Sequence, residues 1–156
     1  MRFTGRAAAA AALLFGSLPL WAADPLVGTW RLDQQEVNGQ PTQTDPMVLR
    51  ITEAAGGKLS FAFSVPVNNI YFVSMSYVVK LDGTESGVKN GHGETVGAIR
   101  ITSAAPYHYK LLLKAPNRPD SNGTLTVSPS GKTLTSETES TLGGRTMHSK
   151  QTFSRQ

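Results

Sequence analysis

The stretch Lys58-Leu59-Ser60-Phe61-Ala62-Phe63-Ser64-Val65 alternates apolar side chains with small or polar ones at a period of two. Successive side chains of a β-strand point to opposite faces, so Leu59, Phe61 and Phe63 share one face. A strand with one apolar and one polar face is typical of an antiparallel sheet that packs on a core and meets solvent on its other side. We therefore expect a half-buried antiparallel strand here.

The same alternation recurs in segments on both sides of this stretch, and residue pairs that favour tight turns separate those segments. Such pairs tolerate the positive φ angles of short hairpins. The turn pairs are Asn38-Gly39, Gly56-Gly57, Asp82-Gly83, Asn90-Gly91, Asn122-Gly123, Ser130-Gly131 and Gly143-Gly144. The predicted strands are 27–36, 46–54, 57–66, 71–82, 95–103, 106–115, 121–128, 132–141 and 144–154.

This series predicts an all-β fold, an antiparallel up-and-down β-barrel of about eight to ten strands. An open sheet of this size would leave two unpaired edges, and closure removes both. A two-sheet sandwich would also bury the apolar faces, but most links here are too short for its crossings. An outer-membrane barrel would need an apolar band on every strand, whereas 132–141 and 144–154 are mostly polar on both faces. The Gly-rich segment 83–94 is predicted to be a loop or a frayed strand.

The first residues have the three-part layout of a secretory signal peptide. Arg2 and Arg6 precede an apolar run from 7 to 20, and Trp21-Ala22-Ala23 supplies a small-residue end. The run is shorter than the roughly 20 residues of a membrane-spanning helix. We expect a signal-peptide helix over 1–22 that is cleaved near Ala22, and a single domain over 23–156 in the periplasm or secreted.

Charge and cysteine content exclude several classes of function. Removing Arg2 and Arg6 lowers the formal net charge from +4 to +2, and the remaining cations are scattered along the chain, so no nucleic-acid partner is predicted. The chain has no cysteine, which excludes disulfides, thiolate nucleophiles and a lipid anchor on cysteine. We expect a monomer with no membrane anchor after signal cleavage.

The opening Leu26-Val27-Gly28-Thr29-Trp30 resembles the Gly-x-Trp signature of lipocalins. Together with 127–135 and the end Phe153-Ser154-Arg155-Gln156, it is similar to small exported lipocalin-like proteins of bacteria. In that family the signature Trp closes one end of the barrel and an Arg near the chain end packs across its indole. The resemblance implies that Trp30 and Arg155 close the barrel here through a cation–π contact.

Residues able to support catalysis are few, and no catalytic residue, metal site or cofactor is predicted. His92, His108 and His148 lack the spacing of metal ligands. Glu137 and Glu139 lie two residues apart on one predicted strand, as expected for a solvated face. His92 beside Glu94 is interpreted as part of a solvated loop.

Aromatic side chains share the apolar parity of their strands and are predicted to face the interior. A barrel of about eight strands can either fill with side chains or hold one small ligand. The candidate ligand-binding residues are Phe61, Phe63, Tyr71, Tyr77, Tyr107 and Tyr109.

The leading hypothesis, which follows from the lipocalin resemblance, is an exported carrier or sensor that binds a small apolar or amphipathic molecule without transforming it. A filled core with a binding loop at 83–94 would instead favour an envelope interaction or inhibitor module. A polar pair inside the barrel would favour a small enzyme acting on a bound lipid or cyclic substrate.

Overall fold

The computed structural model describes residues 22–156, which form eleven antiparallel β-strands. The predicted signal peptide, apart from Ala22, lies outside the described residues. The strands are β1 (Gly28–Val37), β2 (Gln40–Thr42), β3 (Val48–Ala54), β4 (Lys58–Val67), β5 (Ile70–Val79), β6 (Ser86–Asn90), β7 (Thr95–Ala105), β8 (His108–Lys114), β9 (Ser121–Val127), β10 (Thr133–Leu142) and β11 (Arg145–Arg155). No helix in this described part of the chain is long and apolar enough to cross a membrane.

Ten of the strands close into an up-and-down barrel. Each strand from β3 to β11 pairs with its neighbour in sequence, and β1 pairs with both β3 and β11. Trp30 lies opposite Leu49 on one side and Arg155 on the other. Because the first and last strands are joined, the barrel has no free edge between them. The predicted antiparallel barrel is confirmed, and it has ten strands.

The eleventh strand, β2, is a short addition that the sequence analysis missed. It folds back on the end of β1 through Asn38 and Gly39, whose φ angles are 50° and 77°. Positive φ at both central residues is the geometry of a tight hairpin turn. Its three residues are all exposed, so they carry no apolar alternation that could have revealed the strand.

The segment 83–94 contains the short strand β6 and its turn into β7. Only two positions pair β6 with β5, whereas four pair it with β7. Val88 is buried, but its neighbours are small or polar, which explains why the strand signal was weak. The Asn90 side chain holds the turn, since its Oδ1 accepts from the backbone N–H groups of His92 and Glu94, each at 3.0 Å.

A bulge in β5 reverses the orientation of the strand's first residues. The register passes from Phe63 opposite Met75 to Ser64 opposite Val73, so Ser74 is an extra residue. One inserted residue moves every side chain beyond it to the other face. The interior position predicted for Tyr71 is therefore wrong. Tyr71 is 52% exposed, within an apolar segment, Ile70–Val73, that lies at the surface.

Candidate ligand-binding cavity

One end of the barrel is closed by Trp30 and Arg155. Trp30 is fully buried, and its indole N–H donates to the carbonyl of Leu26 at 2.9 Å. The Arg155 guanidinium carbon lies 4.1 Å from the centroid of the Trp30 ring. A cation over an indole face at this distance is attracted by the ring's quadrupole. This is the contact that the lipocalin resemblance implied.

Arg155 also ties three chain segments together at this end. Its Nε donates to the carbonyl of Gly131 at 2.6 Å, while Nη1 and Nη2 donate to Val27 and Pro25 at 2.7 and 2.8 Å. A Cβ on Gly28 would overlap Nη1 of the guanidinium. Glycine, tryptophan and arginine therefore form one unit, in which the missing side chain of Gly28 makes room for Arg155.

Tyr109 belongs to the same closed end. Its hydroxyl donates to Oδ1 of Asp24 at 2.9 Å, and the same oxygen accepts the backbone N–H of Leu26 at 2.9 Å. Burial raises the pKa of Tyr109, and the hydrogen bond to the Asp24 carboxylate raises it further. Tyr109 thus anchors the segment before β1, and its polar tip is occupied by a protein partner.

Inside the barrel lies a cavity of about 200 Å³ with two chemically different sides. Aromatic and aliphatic side chains form most of the wall, with Leu134 and Phe153 among them, and hydroxyl and amide side chains from β10 and β11 form the remainder. The lining residues are Leu49, Phe61, Phe63, Met75, Tyr77, Ile99, Leu111, Leu113, Leu125, Leu134, Ser136, Thr138, Ser149, Gln151 and Phe153. Apolar walls with a few polar groups are characteristic of small-molecule sites.

Tyr77 is the aromatic residue with a polar group at this cavity. Its ring stacks on Phe61 with centroids 4.8 Å apart, and it lies 6.0 Å from the ring of Phe63. The residue is 7% exposed, and burial raises the pKa of its hydroxyl. Among residues 22–156, no side chain or backbone group forms a hydrogen bond with that hydroxyl.

The structure separates the six aromatic candidates into three groups. Phe61, Phe63 and Tyr77 line the cavity, whereas Tyr109 lies at the closed end and is not among the lining residues. Tyr71 lies outside, in the exposed segment Ile70–Val73 that follows the β4–β5 turn. The interior position predicted for Tyr107 is also wrong, because this residue forms a turn with a φ of 65° and is 38% exposed. Binding of a ligand by the three lining aromatics stays a prediction.

The polar side of the cavity was missed because β10 and β11 look solvated in the sequence. Ser136 lies opposite Gln151, and Thr138 lies opposite Ser149, with all four residues at the cavity. Ser136 and Thr138 lie on the same face of β10 as the fully buried Leu134, and Ser149 and Gln151 lie on the same face of β11 as Phe153. Counting every second residue from Leu134 would have placed Ser136 and Thr138 inside the barrel.

A larger and more open groove of about 710 Å³ is lined by β8 to β11 together with Glu36 and Gly39, and it shares Leu111, Thr138 and Ser149 with the cavity. Its other lining residues are mostly exposed and charged or polar. Glu137 lies 3.7 Å from Lys150, and Glu139 lies 3.2 Å from His148, with all four side chains about half exposed or more. Exposed pairs of this kind contribute little to stability or binding. The paired glutamates therefore match their interpretation as a wet face, and the cavity inside the barrel, with its mostly apolar wall, is the better candidate site.

The remaining titratable candidates lie apart from the cavity. His92 is exposed in the β6–β7 turn, where Glu94 accepts a hydrogen bond from the Asn90 amide at 2.8 Å. Within residues 22–156, no cluster of three metal-binding side chains occurs. No lysine, arginine, histidine or carboxylate contributes to the described cavity wall. This wall can form hydrogen bonds, but it offers no charged partner.

These features define the class: a closed ten-stranded antiparallel barrel with one sealed end and a small amphipathic interior. No family model and no curated protein matches the sequence. Solved structures do match. The zebrafish ileal bile acid-binding protein, complexed with cholic acid, superimposes with a TM-score of 0.58 and 16% identity over 85% of this chain and 99% of its own. A mutant of the fluorescent protein UnaG gives a TM-score of 0.56 and 12% identity over 85% and 96%.

The matching structures are fatty-acid-binding-protein-like β-barrels, and the chain shares their fold. This fold is related to that of the lipocalins, whose barrels have eight strands. The resemblance seen in Gly28, Trp30 and Arg155 is therefore supported at the level of the fold, which closes with ten strands in this chain.

Proposed function

We propose that this protein is an exported, monomeric carrier or sensor that binds one small apolar or amphipathic molecule inside the barrel without transforming it. The observation that carries the proposal is the amphipathic cavity of about 200 Å³. An apolar cavity of about 150 Å³ is large enough to hold benzene, so this interior suits a molecule of one or two rings or a short chain. The complex of the zebrafish barrel with cholic acid supports binding within this fold.

The alternatives lack their expected features in the described residues. An interaction module with a filled core would not have this interior space, and the segment 83–94 is folded into β6 and its turn. A barrel enzyme would need a pair of reactive polar groups inside, but the described wall has no carboxylate or imidazole. Binding is therefore the function that this geometry supports best.

Filling the cavity tests the proposal. Leu111 lines the interior, whereas Leu112 has the opposite parity and lies between Arg100 and Asn122 on the outer face. We expect wild-type protein to bind 1-naphthol, a neutral two-ring alcohol, at one site by calorimetry. Leu111→Trp should weaken this binding at least tenfold, and Leu112→Trp should leave it within twofold. Equal effects of the two variants would contradict binding inside the barrel.

Export is tested separately, because it depends on residues 1–22. We expect the protein recovered from outside the cytoplasm to begin at Ala23 when its N-terminus is sequenced. An uncleaved chain in the cytoplasm would contradict the exported role.

A further inference from the structure

The hydroxyl of Tyr77 differs from the other large polar aromatics of the core. The indole N–H of Trp30 donates to Leu26, and the hydroxyl of Tyr109 donates to Asp24, so both have protein partners. Tyr77 is buried to a similar extent but has no such partner within residues 22–156. Among residues 22–156 no fully buried side-chain polar atom lacks a hydrogen-bond partner, so the unpaired Tyr77 hydroxyl is accessible, and the space beside it is the cavity that Tyr77 lines. A hydroxyl there gains free energy by pairing with a polar group of a ligand.

Other groups on the cavity wall have the same character. Ser136, Thr138 and Ser149 are neutral hydroxyl residues, and none of their side chains hydrogen-bonds another described residue. Gln151 makes one long contact, from its amide nitrogen to Oε1 of Gln35 at 3.4 Å. The wall therefore offers neutral donors and acceptors that remain free for a ligand.

Charge sets the other limit on the ligand. Moving a carboxylate or an ammonium group into an apolar interior is strongly unfavourable unless an opposite charge pairs with it. The described lining residues carry no formal charge, so neither a fatty acid anion nor an amine would find a counter-ion. A hydroxyl, carbonyl or amide group on the ligand would need none.

We propose that the cavity selects an uncharged amphiphile of one or two rings, or of similar size, whose hydrogen-bonding group pairs with the Tyr77 hydroxyl. Its apolar part lies against Phe61, Leu111 and Leu113. This inference rests on the proposed function and names the ligand class for the same site.

Three probes of one shape test this selection: 1-naphthol, 1-methylnaphthalene and 1-naphthoate. They share a two-ring body and differ in carrying a hydroxyl, a methyl group or a carboxylate. At neutral pH we expect 1-naphthol to bind most tightly and 1-naphthoate at least tenfold more weakly. Equal or tighter binding of 1-naphthoate would overturn the selection for an uncharged ligand.

Tyr77→Phe isolates the hydroxyl while keeping the ring that stacks on Phe61. We expect it to weaken 1-naphthol binding about tenfold, equivalent to about 1.4 kcal/mol, and to change 1-methylnaphthalene binding less than twofold. Tyr109→Phe is the matched control, since its hydroxyl is held by Asp24, and it should leave 1-naphthol binding unchanged. Far-ultraviolet circular dichroism establishes that both variants fold.

The outcomes separate this inference from the proposed function. If all three probes bind equally tightly and Leu111→Trp weakens the binding of each, the cavity binds ligands but does not select uncharged ones. The inference about Tyr77 then fails, while the proposed function stands. If Tyr77→Phe leaves 1-naphthol binding intact, the inference fails in the same way. If no probe binds the wild-type protein, both the inference and the proposed function fail.

Discussion

Replacing Arg155 by alanine should destabilise the barrel substantially, because one side chain links three segments at its closed end. The change removes hydrogen bonds to the carbonyls of Gly131, Val27 and Pro25, and the stack on Trp30. A hydrogen bond from a charged donor contributes about 1.5–3 kcal/mol, and an exposed or half-buried cation–π contact about 0.5–2 kcal/mol. Because Arg155 is only partly buried, water can satisfy some of the released carbonyls. We expect a net loss of about 3–5 kcal/mol in the free energy of unfolding.

Urea unfolding of the 23–156 domain, followed by tryptophan fluorescence, measures this loss. Arg31→Ala is the matched control, since Arg31 lies on the same strand as Trp30 but is 59% exposed and pairs only with Asp33. We expect the control to lose less than about 1 kcal/mol. Arg155→Lys should recover little, because an ammonium group cannot reproduce the planar set of donors.

A loss below about 1 kcal/mol for Arg155→Ala, similar to that for Arg31→Ala, would show that Arg155 does not hold the closed end together. It would mean that the closed end is held by Trp30 and its neighbours alone. It would also remove the physical reason for glycine at position 28, whose missing Cβ leaves room for the guanidinium.

Other substitutions test the core, the sheet and the buried tyrosines. Trp30→Ala should cost about 3–5 kcal/mol in urea unfolding, here followed by circular dichroism because the variant domain has no tryptophan, and a near-neutral result would contradict the burial of Trp30. Gly123→Ala should cost about 1–3 kcal/mol, since a Cβ there meets the backbone of β10, whereas Gly87→Ala should be nearly neutral because its Cβ meets only the Thr95 side chain. Burial raises the pKa of Tyr77 and Tyr109 in the folded state, so the folded protein holds these two protons more tightly than the unfolded chain does. The contribution of the neutral tyrosines to the free energy of unfolding is fully present below about pH 10 and is lost as the pH rises toward the folded pKa values. Stability measured by urea unfolding should fall above pH 10 by up to about 1.4 kcal/mol per pH unit for each tyrosine, and Tyr77→Phe should reduce that slope; an unchanged slope would contradict the assignment.

The barrel was predictable from the sequence because period-two alternation and turn pairs act locally. Phe61 and Phe63 point inward because no bulge interrupts β4 before them. Closure was predictable from the cost of two free edges, although the number of strands was fixed only by the pairing of β1 with β11.

The parts that sequence reasoning missed depend on single residues or on distant partners. Ser74 reverses the parity of the start of β5, and nothing in the polarity of 71–82 marks either this bulge or the exposure of the apolar segment Ile70–Val73, which contains Tyr71. The turn at Tyr107 likewise interrupts an alternation that continues unbroken in the sequence. Ser136 and Ser149 look like surface residues because their strands are polar on both faces, and only their spacing from the buried Leu134 and Phe153 indicates that they face the cavity.

Native mass spectrometry of the protein purified from the cells that produce it shows whether the barrel interior holds a small uncharged molecule. We predict a one-to-one complex with a neutral compound, retained by Leu112→Trp and lost in Leu111→Trp. A wild-type protein that carries no small molecule under gentle purification and takes up none of the neutral probes would contradict the account.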